Sequence, residues 1–207
     1  MQEKIIKRLR AAKARISTFC RTCGSVCVTL IVRTHVRRWR KVAQAGRPSW
    51  DERNRIIAGF IPDGSSVLDV GCGAQTLREH LPPGCRYQPC DVANNSANVI
   101  FCDLNAGVYP DVKERFDYVV CSGVFEYMRN PGEFLKRIPM CGRTVLMSYN
   151  TLRPDVSKFD RLAKNWINHF TRDELKALMA ETGLEWTVLH TNNLGELIGS
   201  LRAKNEN

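Results

Sequence analysis

Val67-Leu68-Asp69-Val70-Gly71-Cys72-Gly73, followed by Ala74-Gln75-Thr76, decides the fold. The apolar run is too short for a helix and runs straight into glycines, which reads as a buried strand entering a tight turn. Glycines there let the backbone approach a ligand without Cβ interference. A helix over Leu77–Leu81, stopped by Pro82-Pro83-Gly84, would offer the free N–H groups of its amino end to a carboxylate or phosphate. The dinucleotide fingerprint needs a third small residue in the spacing Gly-x-Gly-x-x-Gly or Ala, and Thr76 stands there instead.

Working outward, strands are expected at Arg86–Cys90, Val99–Cys102, Phe116–Cys121, Thr144–Met147, Trp186–His190 and Glu196–Leu201. Helices are expected at Trp50–Ile61, with Ser49 as its cap, and at Pro131–Ile138 and Val156–Ile167. Another should begin at the capping box Thr171-Arg172-Asp173-Glu174, with Phe170 and Leu175 as a staple, and end at Gly183. The stretch between Asp91 and Val99 is too short for a full crossover helix. With Val67–Val70 the alternation gives an α/β, Rossmann-like, doubly wound and mostly parallel sheet of seven strands. In such sheets ligands sit at the carboxyl ends of the strands, at the switch point. Asp91 closes the second strand, 20 residues after Gly71, where a carboxylate accepts from ribose hydroxyls.

Asp-Val-Gly-Cys-Gly preceded by Val-Leu resembles the first motif of class I S-adenosylmethionine (SAM)-dependent methyltransferases. The resemblance extends from about Trp50 to Arg202 and is nearest to the methyltransferase-11 and MetW-like groups. Gln75 departs from it, standing where the family has its last glycine. The resemblance implies that Asp69, Gly71, Cys72 and Gly73 shape the pocket for the methionine part of SAM. It also implies that Asp103 faces the adenine amino group with Leu104 on the ring, and that Ser122 lies over the cofactor. Residues 48–207 then form the methyltransferase domain.

Glu126, Tyr127 and His169 are the candidates for a base, which an oxygen nucleophile would need. His titrates near neutral pH, although Phe170 and Thr171 give its segment a capping role too. The expected reaction is in-line methyl transfer to a small-molecule, sugar or lipid-linked acceptor. The alternatives are a non-catalytic SAM-fold regulatory protein and a nucleic-acid methyltransferase. Against the latter, the segment Cys121–Tyr127 carries no Asn-Pro-Pro-Tyr-like signature.

The net charge of +10 is uneven: residues 1–60 hold 15 Lys/Arg and 3 Asp/Glu, and the remainder 16 and 18. Residues 1–47 therefore read as a basic helical extension, in which Ile5, Leu9, Ala12, Ile16 and Phe19 form an apolar stripe and Arg33–Lys41 is a second basic stretch. Residues 1–45 suit an anionic membrane surface; a transit peptide, a spurious extension and a plain helix packed on the catalytic domain are the other readings. Gly46-Arg47-Pro48-Ser49 reads as a linker. No apolar run reaches 18 residues, so a cytoplasmic chain, peripheral to a membrane at most, is expected. Nine cysteines, an odd number and several in strands, predict free thiols in a reducing compartment. Cys20, Cys23 and Cys27, with His35 beyond, lack the second half of a zinc site, so no metal is expected and packing against Ile16 and Leu30 accounts for them.

Overall fold

The computed structural model describes residues 2–45, 48–93, 96–193 and 195–204; Gly46 and Arg47, the centre of the expected linker, lie outside them. Its centre is one seven-stranded sheet: β1 Ser66–Val70, β2 Arg86–Asp91, β3 Ile100–Phe101, β4 Phe116–Cys121, β5 Gly142–Asn150, β6 Leu184–Thr191 and β7 Glu196–Ala203. The strand order is β3-β2-β1-β4-β5-β7-β6. All pairings are parallel except those of β7, which runs antiparallel to both β5 and β6. The chain leaves β1 toward β2 and later returns on its other side as β4, so the switch point falls between the carboxyl ends of β1 and β4.

The crossovers are thinner than the sequence implied. A single turn of 3₁₀ helix, Thr76–His80, follows β1 where an α-helix was expected, because Pro82-Pro83 leaves no room to extend it. The glycine turn therefore has no α-helix behind it, which removes the expected helix-terminal dipole. Helices lie elsewhere: α1 Gln2–Ile31, α2 Val36–Ala45, α3 Pro48–Ala58, α4 Pro131–Arg137, α5 Lys158–Ala163 and α6 Arg172–Glu181. α3 begins at Pro48, so Ser49 lies inside its first turn and does not cap it. α5 is shorter than Val156–Ile167; Ser157 caps it, and Asn165 turns the chain away with φ 67°. The capping box at Thr171 forms as read, with both reciprocal hydrogen bonds.

Each sheet face buries its own apolar cluster. One joins Leu68, Val70, Val119, Met147 and Tyr149 to Phe125, Phe134 and Leu175. The other joins Val67, Val120, Leu146 and Ile198 to Ile57 and Ala58 of α3 and to Leu77. Against the expectation of free thiols, Cys90 of β2 and Cys102 just after β3 are paired as a disulfide; the register sets Cys90 opposite Ile100, and Cys102, two residues on, falls diagonally across on the same face.

Candidate active site

β1, β2 and β4 open their carboxyl ends onto a cavity of about 190 Å³. Its cofactor side follows from the glycine turn. Gly71 has φ 74°, and a Cβ there would stand 2.6 Å from the Val124 side chain. Gly73 has φ 50°, and a Cβ there would meet nothing within 4 Å, so it would project into open space that a ligand needs. The amides of Gly71 and Cys72 donate to the Cys90 carbonyl at 2.8 and 3.1 Å, which fastens the turn to β2.

Three carboxylates stand around this turn. Buried Asp91 accepts from the Gly73 amide at 2.9 Å through Oδ2 and from the Ala93 amide at 2.6 Å through Oδ1. Asp103 accepts from the Thr34 hydroxyl at 2.8 Å and caps the turn at Ala106. Asp69 accepts from the Tyr87 hydroxyl at 2.6 Å. Burial pushes the Asp69 carboxyl up to about 7 and raises the neighbouring Cys72 thiol. Asp69, Cys72, Asp91, Asp103 and Leu104 all line the cavity, as does Ser122. Ser122 accepts from Arg53 Nε at 2.7 Å and donates to Asn54 at 2.6 Å.

The opposite wall centres on Glu126, whose residue is 1% exposed. Its Oε1 accepts from the Asn150 amide at 2.9 Å and from Asn150 Nδ2 at 2.8 Å. Its Oε2 is buried with no hydrogen-bond partner among the described residues. Burial raises this carboxyl, opposed by the Asn150 bonds and by Arg53. Arg53 itself pairs with Glu196 at 2.9 Å. Burial also pushes the Tyr127 hydroxyl up to about 12, where it is a donor and no base at neutral pH. That hydroxyl accepts from Trp166 Nε1 at 3.2 Å, and the Tyr127 ring meets Trp39 edge-on at 4.6 Å.

His169, a candidate base, is not among the residues lining the cavity. Its Nδ1 accepts from Arg161 Nε at 3.2 Å, and burial, followed by the Arg161 charge, lowers its pKa. Thr34, Trp39, Trp50, Arg53 and Asn150 line the site without having been read from the sequence. The available signals were an aromatic alone in the basic α2 and the i, i+3 spacing of Trp50 and Arg53. Cys20 and Cys27 are exposed, as are Ile16 and Leu30, so packing does not account for that cysteine run. Among the described residues no group of three or more His, Cys, Asp or Glu has a metal-holding arrangement.

A family model, Methyltransferase domain, matches residues 37–189. The chain belongs to that family. It is a class I methyltransferase with SAM as its cofactor, as the Val67–Gly73 motif implied. The bifunctional methionine biosynthesis protein MetXA/MetW of Rhodopirellula baltica is 32% identical over 45% of this chain and 18% of that protein, so the chain spans under a fifth of that relative's length. Solved structures share the fold. The Burkholderia thailandensis 1,6-didemethyltoxoflavin-N1-methyltransferase, with bound S-adenosylhomocysteine, has a TM-score of 0.55 at 17% identity over 80% of this chain and 82% of that one. The mitomycin 7-O-methyltransferase MmcR has a TM-score of 0.63 at 14% identity over 89% and 68%.

Proposed function

We propose that this methyltransferase acts on a small-molecule, sugar or lipid-linked acceptor carrying an O–H or N–H group, and that Glu126 takes the acceptor's proton. The observation that carries this is Glu126, which lines the cavity and whose buried Oε2 has no hydrogen-bond partner among the described residues. SAM supplies an activated methyl on a sulfonium. On this reading Asp91 and Asp103 hold the adenosine part, and Asp69 with the Gly71–Gly73 turn holds the cationic methionine part. Trp39, Tyr127 and Trp166 confine the acceptor so that its nucleophilic atom lines up with the methyl. Glu126 Oε2, which burial has made more basic, would take the acceptor's proton and pass it to water, while the bound cofactor would supply the methyl and leave as S-adenosylhomocysteine. Glu126 takes the base's role over Tyr127 and His169. Residues 48–207 serve as the catalytic domain, and the extension 1–47 adds Thr34 and Trp39 to the pocket wall.

A nucleic-acid acceptor fits less well. Among the described residues the cavity walls carry Asp69, Asp91, Asp103 and Glu126 against one cation, Arg53, already paired with Glu196. Phosphates would meet net negative charge there. The acceptors named for the solved relatives, didemethyltoxoflavin and mitomycin, are small molecules.

The test is Glu126→Gln, assayed by release of S-adenosylhomocysteine over a panel of hydroxyl and amine acceptors. Turnover should fall about 10²–10⁴-fold, the usual contribution of a positioned base, with SAM affinity within about threefold of the parent. Turnover equal to the parent's excludes Glu126 as the base. SAM binding with no turnover by the parent on any acceptor would favour a non-catalytic, regulatory role.

A further inference from the structure

α1 meets the body of the protein with its hydroxyl side. Ser25 donates to the Ala163 carbonyl at 2.9 Å, and Thr29 to the Leu162 carbonyl at 3.0 Å, both at the end of α5. Arg129 fastens the helix end, donating to the Thr29 and Val32 carbonyls at 2.7 Å each. Among the described side chains of α1, Val26 is the buried apolar one. Among the described side chains the larger apolar ones point outward: Ile16 and Phe19 are each 65% exposed, Leu30 is 60% and Ile31 is 82%. Ile16, Phe19, Cys23, Cys27 and Leu30 follow one another at steps of three and four, so they lie on one stripe. A surface helix normally turns that stripe toward the core, and here the contacts with α5 hold it away.

The charge around the stripe names its occupant. Lys13, Arg15, Arg21, Arg33, Arg37 and Arg40 are all exposed, and no acidic residue occurs between Glu3 and Asp51. A second copy of the chain would bring the same positive field to the same apolar face. An anionic bilayer offers both an apolar interior edge and negative headgroups. No described helix is long and apolar enough to cross a membrane, so the helix would lie flat in the interface.

We infer that the outward stripe of α1 docks this protein on an anionic lipid surface. Leu30, Ile31 and Val32 lead directly into Thr34, which lines the cavity. Docking therefore sets the pocket beside the headgroups, which, if the proposed methyl transfer holds, suits a lipid-linked acceptor.

Vesicle sedimentation of the full chain tests this, using phosphatidylglycerol–phosphatidylcholine vesicles and phosphatidylcholine vesicles alone. The comparison is with Ile16→Gln/Phe19→Gln/Leu30→Gln/Ile31→Gln, four exposed positions outside the pocket. We expect the parent to pellet with the anionic vesicles at low salt, to be released at high salt, and to stay in solution with phosphatidylcholine. The variant should partition at least tenfold less, with its melting temperature and its stabilisation by SAM unchanged. A parent that stays in solution with anionic vesicles overturns the inference. So does a variant that pellets equally, which would leave charge alone responsible. Parent dimers, lost in the variant and indifferent to vesicles in sedimentation velocity, would assign the stripe to a second copy instead. SAM stabilisation is read separately from pelleting, so a failure here leaves the cofactor reading standing.

Discussion

Asp69, Asp91 and Asp103 stand at or beside the carboxyl ends of three neighbouring strands, whereas Trp39, Glu126, Asn150 and Trp166 come from four separate places in the chain and meet only through packing. The first wall of the pocket is held by backbone geometry. Parallel register sets the strand ends side by side, and the glycine turn ties itself to β2 through the Cys90 carbonyl. The second wall is held by side chains leaning on side chains, and its keystone is Arg161. Its guanidinium, 1% exposed, donates to His169, to the Thr151 and Asn168 carbonyls and to the Tyr149 hydroxyl, and it stacks 4.8 Å from the Trp166 ring. Damage should therefore spread further on the acceptor side than on the cofactor side.

The largest expected effect breaks that keystone. Arg161→Ala takes the guanidinium donors from the buried Asn168 carbonyl and the half-buried Thr151 carbonyl and removes the cation over Trp166, while the Tyr149 hydroxyl keeps the Phe170 amide as a donor. Urea unfolding should show a loss of about 3–5 kcal/mol, from about 1–3 kcal/mol for each carbonyl left unpaired together with the packing lost on Trp166. Arg161→Lys should recover little of it, because an ammonium cannot reach separate acceptors as a planar fork does. A loss under about 1 kcal/mol would mean that the acceptor wall stands without Arg161.

The same contrast governs what could be read from sequence. The cofactor wall was legible because each part is local: an apolar run ending in glycines, and acidic residues closing the next two strands. Glu126 and Tyr127 were within reach because they follow β4 directly. Trp39 and Asn150 were not, since only tertiary packing carries α2 and the end of β5 to the cavity. Of the stripe Ile5, Leu9, Ala12, Ile16 and Phe19, the first three lie outside the described side chains; Ile16 and Phe19 share the exposed side of α1, but a helical repeat does not say which face turns inward, and α5 offered carbonyls to hydroxyls. The helix after Gly73 was misread because the pattern announces a crossover without fixing its length, and Pro82-Pro83 cuts this one to a single 3₁₀ turn. The expectation of free thiols missed Cys90 and Cys102, since their juxtaposition comes from the pairing of β2 with β3 and a diagonal step of two residues that the sequence does not show.

The next effect confines itself to the cofactor wall. Asp91→Ala removes the acceptor for the Gly73 amide as well as the carboxylate assigned to the ribose. SAM affinity should fall by about 1.5–3 kcal/mol, the scale for hydrogen bonds to a charged group. Turnover at saturating SAM should fall less, since Glu126 and the aromatic wall are untouched. Calorimetry showing unchanged affinity, with an intact circular dichroism spectrum, would remove Asp91 from the site.

Asp69 sharpens the comparison through pH. Its folded pKa of about 7 lies above the ordinary carboxylate range, so the folded state holds a proton that the unfolded chain has released. The contribution of this group to stability therefore declines as pH rises from about 4 to about 7 and is constant above that. SAM acts in the opposite direction, because its positive charges favour the ionised carboxylate. Its dissociation constant should be roughly tenfold tighter at pH about 8 than at pH about 6, one pKa unit of linked proton release. Asp69→Asn should flatten that dependence. A parent whose affinity is the same at both pH values would separate Asp69 from the cationic part of the ligand.

The smallest expected effect concerns Gln75, the departure from the family pattern. Its backbone sits at φ 61°, ψ 27°, in the left-handed region that favours glycine. The sequence has thus changed the residue and kept the turn. A side chain in that region costs about 1–2 kcal/mol, while glycine adds about 0.5–1 kcal/mol of chain entropy to be lost on folding. The difference leaves Gln75→Gly stabilising by up to about 1 kcal/mol, or roughly 2–4 °C in melting temperature for a chain of this size. SAM affinity should stay within about twofold, because Gln75, unlike Gly73 and Ala74, is not among the residues lining the cavity. A drop of more than about 2 °C would show that the Gln75 side chain holds the turn. In that event the cofactor wall, like the acceptor wall, would depend on a side chain where only the backbone was thought to matter.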